Sequence, residues 1–157
     1  METRLTKSNN EQRLETAKII FDYLPDNNVF KVNETKETMS AKAVAYNGIA
    51  ALIEEYVATK YNTKRHTKLN EEGTDLLNGI EVKYSSTPHF IKNAKIASKL
   101  SIDGLKNKMK ATKIVAIVYD DINNELLEFT FPPYEGMDAI YSFKKLYKLD
   151  PNPIKLG

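Results

Sequence analysis

Two carboxylates and one lysine lie close together near the middle of the chain. Five residues separate Asp75 from Glu81, and Lys83 follows two places after Glu81. Carboxylate oxygens are the ligands that Mg²⁺ prefers in proteins, and a metal-bound water can attack a phosphodiester. The lysine could orient or deprotonate that water, or neutralise charge that develops on the phosphate. These residue types at this spacing therefore suggest metal-dependent phosphodiester hydrolysis.

The turn between the two carboxylates decides whether their side chains meet. Asn-Gly between strand-forming residues is a strong hairpin signal, and here it is Asn78-Gly79. A two-residue loop would point Asp75 away from Glu81. A three-residue loop, Leu77-Asn78-Gly79 with Gly79 at positive φ, would set Asp75 opposite Glu81, with Cβ atoms about 4.5–5.5 Å apart. We predict the three-residue loop, because only it gives the hairpin one apolar face, formed by Leu76, Ile80 and Val82, and one face with Asp75, Glu81 and Lys83.

The hydrophobic pattern along the chain predicts a mixed β-sheet flanked by helices, an α/β arrangement. Residues 29–36 are ambiguous between a short strand and an irregular crossing segment. The predicted helices span 8–24, about 40–60 with Ser40 as the cap, 90–110 as one or two helices, and 136–146. The predicted strands are the hairpin at about 74–85, a strand at 113–119 that is covered on both faces, and its hairpin partner at 125–131.

Length and composition limit the class of protein. With 157 residues, 41% hydrophobic and 28% charged, the chain is expected to form one globular domain. We divide this domain into a helical amino-terminal part (about 8–60), a catalytic core (about 42–131) and a carboxy-terminal helix and tail (136–157). The absence of cysteine excludes disulfides and thiolate metal sites. Since the sequence has neither a long apolar run nor a signal-peptide pattern, we expect no membrane association and a cytoplasmic location.

Positive charge is concentrated in two stretches, 60–68 and 92–113, although the net charge is only +2. Seven lysines and one acidic residue lie between Lys92 and Lys113. Such a strip suits a polyanion lying along one face of the protein, although a solvated helix face is the plainer alternative. If residues 90–110 are helical, Lys92, Lys95 and Lys99 share one helix face. The candidate nucleic-acid contacts are Lys64, Arg65, Lys92, Lys95 and Lys99.

The hairpin motif resembles the core of a known nuclease superfamily. Gly73-Thr74-Asp75 followed by Gly79-Ile80-Glu81-Val82-Lys83-Tyr84-Ser85 is similar to the PD-(D/E)XK motif, which occurs in restriction endonucleases and Holliday-junction resolvases. The resemblance covers about residues 47–119. One departure is Thr74, which stands where the family name has proline.

The resemblance implies a restriction-endonuclease-like fold, a mixed β-sheet flanked by helices. Asp75 and Glu81 would be the metal ligands and Lys83 the catalytic lysine, with Mg²⁺ as cofactor and Mn²⁺ as its substitute. Many members carry a further glutamate on the preceding helix, a role open to Glu54 or Glu55, and we favour Glu54. The function expected is a DNA endonuclease, restriction-type, phage or junction-resolving. Because this is one small domain, cutting a duplex would need a homodimer or a partner nuclease subunit. The alternative is a non-catalytic nucleic-acid-binding domain or a small subunit of a larger nuclease complex.

Overall fold

A computed structural model describes residues 8–46, 48–65, 76–86, 95–100, 112–121, 123–133 and 139–157. These residues form a mixed α/β structure with a four-stranded mixed sheet and helices. The helices are α1 (Asn9–Tyr23), α2 (Val29–Asn33), α3 (Lys36–Ala45), α4 (Ile49–Lys60) and α5 (Phe143–Leu149). The strands are β1 (Ile80–Ser86), β2 (Lys95–Leu100), β3 (Lys113–Asp120), β4 (Glu125–Phe131), β5 (Ala139–Ser142) and β6 (Ile154–Lys155).

Helix α1 confirms the first predicted helix. Ser8 accepts a hydrogen bond from the backbone N–H of Glu11 at 3.2 Å, and the Glu11 side chain bonds back to Ser8. This capping box satisfies backbone donors that would otherwise lack a helical partner. Leu24 adopts an extended conformation in front of Pro25, and the helix ends there.

The second predicted helix, at about 40–60, is wrong in its extent, because the chain forms two helices there. Thr35 caps α3 through a reciprocal pair of hydrogen bonds with Thr38, so the helix begins before Ser40. Ser40 is buried within α3, and its hydroxyl donates to the Lys36 carbonyl at 2.6 Å. Helix α4 then starts after Gly48. Serine is a common helix cap, so the sequence suggested a helix start at Ser40. In the structure the serine lies inside the helix instead, with its hydroxyl bonded to a carbonyl one turn back.

The four-stranded sheet has the order β1-β3-β4-β6. Strands β1 and β3 are parallel, while β4 is antiparallel to both β3 and β6. The β3–β4 pair confirms the strands and the hairpin predicted at 113–119 and 125–131. Strand β3 is buried along nearly its whole length, which agrees with the prediction of a strand covered on both faces.

Two predicted helices are each replaced in part by a second small sheet. Strands β2 and β5 pair antiparallel, with Leu100 opposite Ala139 and Lys99 opposite Ile140. The helix predicted at 90–110 is therefore wrong over 95–100. The helix predicted at 136–146 begins only after Ser142, which caps α5 by accepting from the N–H of Lys145 at 3.3 Å. Both errors have one cause: each strand is stabilised by a partner distant in sequence, and this tertiary pairing overrides local helical spacing.

The shared helical face predicted for three lysines fails with that helix. Lys95 and Lys99 lie in strand β2, and Lys92 lies outside the described residues. The argument from helical spacing therefore no longer applies to these lysines.

Two hydrophobic clusters cover the two faces of the main sheet. On the first face, which we call the helical face, residues of α1, α3 and α4 pack against Ile80, Val82, Val115 and Ile117. On the second face, which we call the α5 face, Leu146 of α5 packs with a set of apolar residues from β3 and β4. That set consists of Ile114, Ala116, Val118, Leu127, Phe129 and Phe131. Among the described residues, no helix is long and apolar enough to cross a membrane.

Candidate functional site

The loop before β1 has the three-residue geometry predicted from the sequence. The N–H of Leu76 donates to the Ile80 carbonyl at 3.1 Å, and the N–H of Gly79 donates to the Leu76 carbonyl at 3.2 Å. Gly79 has a φ of 88°, in the region that favours glycine. Leu76 and Ile80 are therefore opposed across a type I turn with a glycine bulge. The predicted register of this hairpin is confirmed at its closing pair.

The start of β3 holds the loop in place. The backbone N–H of Thr112 donates to the Gly79 carbonyl at 2.8 Å, and the Thr112 hydroxyl donates to the Asn78 carbonyl at 3.2 Å. The loop carbonyls thus gain partners outside the hairpin. The turn that leads into β1 is consequently fixed against the next strand of the sheet.

Glu81 and Lys83 project from the same face of β1. Paired residues of neighbouring strands share a face; Glu81 pairs with Ile114, and Lys83 pairs with Ala116. Both partners belong to the cluster on the α5 face. Glu81 and Lys83 are half-buried, so the two polar groups meet solvent at the border of an apolar layer.

The opposite face of the hairpin is apolar, as predicted. Leu76, Ile80 and Val82 are 0%, 2% and 8% exposed, and all three belong to the cluster on the helical face. This alternation fixes the orientation of Glu81 and Lys83, because a shift by one residue would bury both charges under the helices.

The predicted partner of Glu81 lies outside the described residues. Asp75 immediately precedes the described segment that begins at Leu76. Its position opposite Glu81, on the α5 face, stays a prediction from the register of the closing pair.

Helix α4 carries the two other candidate carboxylates, and Arg65 lies between them. The Arg65 Nε is 3.4 Å from Oε1 of Glu54, and Nη1 is 3.8 Å from Oε2 of Glu55. Glu55 also accepts a hydrogen bond of 2.9 Å from the Asn28 amide. Helix α4 packs on the helical face, so Glu54 stands on the other side of the sheet from Glu81 and Lys83.

The backbone of Arg65 connects this carboxylate pair to the hairpin. Arg65 forms an antiparallel bridge with Leu76, and the N–H of Leu77 donates to the Lys64 carbonyl at 3.0 Å. The chain at Lys64 and Arg65 therefore runs alongside the segment that enters the loop. Lys64 is exposed and Arg65 is half-buried, so two of the predicted nucleic-acid contacts lie next to the hairpin.

A second polar group was not predicted from the sequence. Glu128 of β4 is fully buried on the helical face. Its Oε1 accepts from the Tyr56 hydroxyl at 2.5 Å, and its Oε2 accepts from the Lys60 ammonium at 2.5 Å. The available signal was a glutamate in the middle of a mostly apolar strand, together with a tyrosine and a lysine four residues apart on α4.

Burial dominates the acid–base behaviour of this group. It raises the pKa of the Tyr56 hydroxyl well above its usual range, and the hydrogen bond to the Glu128 carboxylate raises it further. A phenol that donates to a carboxylate is most stable in its neutral form. Tyr56 therefore serves as a hydrogen-bond donor at neutral pH.

The described residues do not by themselves make a complete metal site: no group of three histidine, cysteine, aspartate or glutamate side chains among them could hold an ion. Asp75, the proposed second ligand, is not among those residues. Comparisons with protein-family models, curated proteins and solved structures give no match to this chain. A functional assignment accordingly depends on the hairpin and its chemistry.

Proposed function

We propose that this protein is a metal-dependent DNA endonuclease with a restriction-endonuclease-like fold, of the restriction, phage or junction-resolving type. The observation that supports the proposal most strongly is the shared face of Glu81 and Lys83, directly after a three-residue loop that opposes Leu76 and Ile80. On one strand face at a solvent border, the amine can donate to a phosphodiester oxygen, and the acid can hold a divalent cation that contacts the same phosphate.

The residues fit a hard divalent cation in donor chemistry. If antiparallel pairing extends one step beyond Leu76 and Ile80, Asp75 stands opposite Glu81, with Cβ atoms about 4.5–5.5 Å apart. Two such carboxylates repel each other unless a cation or a proton lies between them. Bound Mg²⁺, or Mn²⁺ in its place, would supply Lewis-acid stabilisation of charge on the scissile phosphate.

Lys83 has a role of its own in this proposal. Its ammonium shares a strand face with Glu81, so it can donate to a phosphate oxygen or orient the attacking water. Glu54 stands on the other face and next to Arg65, so we assign it at most a supporting role from the edge of the sheet near Leu76.

DNA would approach the hairpin from the edge next to Lys64 and Arg65. Lys64 and Arg65 lie beside the loop, and we propose them as phosphate contacts together with Lys92, Lys95 and Lys99. Contacts of this kind carry affinity without sequence information. A single domain offers one hairpin, so cleavage of both strands would use a homodimer or a partner nuclease subunit.

Nicking of supercoiled plasmid with and without Mg²⁺ tests the proposal. The variants are Asp75→Asn, Glu81→Gln and Lys83→Met, which preserve side-chain size. We expect each to lower the cleavage rate by about 100-fold or more, since positioned catalytic groups contribute on this scale. The controls are Glu37→Gln on α3 and Lys144→Met on α5, which change exposed residues and should cut at the wild-type rate. Equal cutting by all six proteins, or no dependence on Mg²⁺, would contradict the proposal.

A further inference from the structure

A surface groove lies between the carboxy-terminal ends of α1 and α4 and strand β6. Its volume is about 360 Å³, within the range of small-molecule sites. Tyr23 and Ile154 are 47% and 46% exposed, which leaves apolar surface open to solvent. The lining residues are Tyr23, Tyr56, Thr59, Lys60 and Ile154.

The groove lies over the buried carboxylate of Glu128. Both oxygens of Glu128 are occupied, one by Tyr56 and the other by Lys60, and these two partners also line the groove. Replacing a buried ion pair by apolar residues is often neutral or stabilising, so fold stability alone does not require a charge here. The arrangement fixes a lysine at the edge of an aromatic groove.

Lys60 is the only charged residue among the groove-lining side chains that the structure describes. An ammonium has three N–H donors, and one of them serves Glu128. The Lys60 side chain is 30% exposed, so it can donate to a second acceptor from the groove. The Thr59 hydroxyl donates to the Glu55 carbonyl at 2.8 Å, and the Tyr56 hydroxyl donates to Glu128, which leaves Lys60 as the donor that a ligand would use.

The aromatic residues provide an apolar wall, in which the two rings are inclined at 68° to each other. The rings of Tyr23 and Tyr56 are in edge contact, with centroids 5.8 Å apart. The Tyr23 hydroxyl donates to the Leu156 carbonyl at 2.7 Å, which holds this ring against the carboxy-terminal segment. A planar ring can pack on such a surface without reordering it, and preformed surfaces favour binding.

We propose that this groove binds a small planar aromatic molecule that carries a carboxylate, with the ring against Tyr23 and Ile154 and the carboxylate on Lys60. The site is separate from the proposed nuclease site, because the groove is on the helical side of the sheet and Glu81 and Lys83 are on the α5 face. The proposal of a ligand site in the groove is therefore independent of the proposal of DNA cleavage.

Three matched probes test the ligand chemistry: 2-naphthoate, 2-naphthylmethanol and 2-naphthylmethylamine, which are anionic, neutral and cationic at neutral pH. Titration of ¹⁵N-labelled full-length protein, followed by amide chemical shifts, gives both the location and the affinity. We expect 2-naphthoate to bind at least about tenfold more tightly than the amine, a difference of about 1.4 kcal/mol. The shifts should centre on Thr59, Lys60 and Ile154.

Variants at the groove separate this site from general hydrophobic binding. Ile154→Glu places a negative charge on an exposed strand residue, and Thr59→Met fills the groove from an exposed helix position. Both should weaken 2-naphthoate binding by about tenfold or more, whereas Lys36→Met on α3 should leave it unchanged. Lys60→Met leaves Glu128 without its cation, so its binding is measured only if the purified variant is folded. In that case it should also bind 2-naphthoate more weakly. Equal affinity for the three probes, shifts outside the groove, or unchanged binding in the Ile154 and Thr59 variants would overturn the assignment.

Discussion

At the scale of single residues, one backbone angle controls the proposed site. Gly79 adopts a φ of 88°, and this angle lets the loop close with three residues instead of two. The register that follows puts Glu81 and Lys83 on the α5 face and Ile80 under the helices. The sequence predicted this because the apolar residues of the hairpin fit one register only.

Replacing Gly79 tests the loop geometry. Gly79→Ala should lower the free energy of unfolding by about 1–2 kcal/mol, because a Cβ is disfavoured at left-handed backbone angles. Asn78→Ala is the matched control, since no positive φ is found for Asn78, and it should change stability by less than about 0.5 kcal/mol. Urea denaturation measures both. Equal stability of the two variants would show that the loop does not need glycine.

The raised pKa of Tyr56 leads to a second prediction, on how stability depends on pH. Its pKa is raised in the folded protein by burial and by Glu128, whereas an unfolded tyrosine ionises near about pH 10. The stabilisation is thus fully present below about pH 10, and above it the unfolded state releases a proton that the folded state keeps. The free energy of unfolding should fall by up to about 1.4 kcal/mol per pH unit from this residue alone.

Denaturation at pH 9 to 11 tests the role of Tyr56. Tyr56→Phe should show a shallower loss of stability with rising pH than the wild type. Tyr46→Phe changes a tyrosine that is 81% exposed and should reproduce the wild-type slope. The same slope in all three proteins would mean that Tyr56 does not cause the loss of stability at high pH.

At the scale of elements, helix α4 is joined to the sheet by a polar contact inside the apolar layer. Tyr56 and Lys60 of α4 both bond to Glu128 of β4, which lies more than sixty residues away in the chain. Local patterns show a glutamate within a strand but do not identify its distant partners, so the pairing was not predicted from the sequence. The same reason explains the errors at β2 and β5, which pair with each other, whereas β3 and β4 were predicted because they are adjacent hairpin partners with clear apolar patterns.

Two lysine variants compare a buried ion pair with an exposed one. Lys60→Met should cost about 3 kcal/mol, because it leaves a fully buried carboxylate without its cation. Lys36→Met removes a partner of Asp22 at 2.8 Å, but both side chains are well exposed, so it should cost less than about 1 kcal/mol. Thermal or urea denaturation gives both values. A similar loss in the two variants would mean that the Glu128 pair does not anchor α4.

At the scale of the whole molecule, the two faces of one sheet carry different polar groups. The helical face carries α1, α3 and α4, the buried Glu128 group and the groove, while the α5 face carries Glu81 and Lys83. The α/β class and the central strands could be predicted from the sequence, since both follow from local periodicity. The start of α3 could not, because Ser40 bonds within the helix while resembling a cap. Assembly into a homodimer or with a partner subunit stays a prediction from the size of the domain.

The central claim is that Asp75 and Glu81 can bind one ion from a shared face of the hairpin. Anomalous diffraction from crystals grown with Mn²⁺ measures this most directly. We predict one Mn²⁺ peak in contact with an oxygen of each carboxylate, at about 2.1 Å as for Mg²⁺, and its loss in Glu81→Gln. An Asp75 side chain on the helical face, or Glu81 without bound Mn²⁺, would contradict the account.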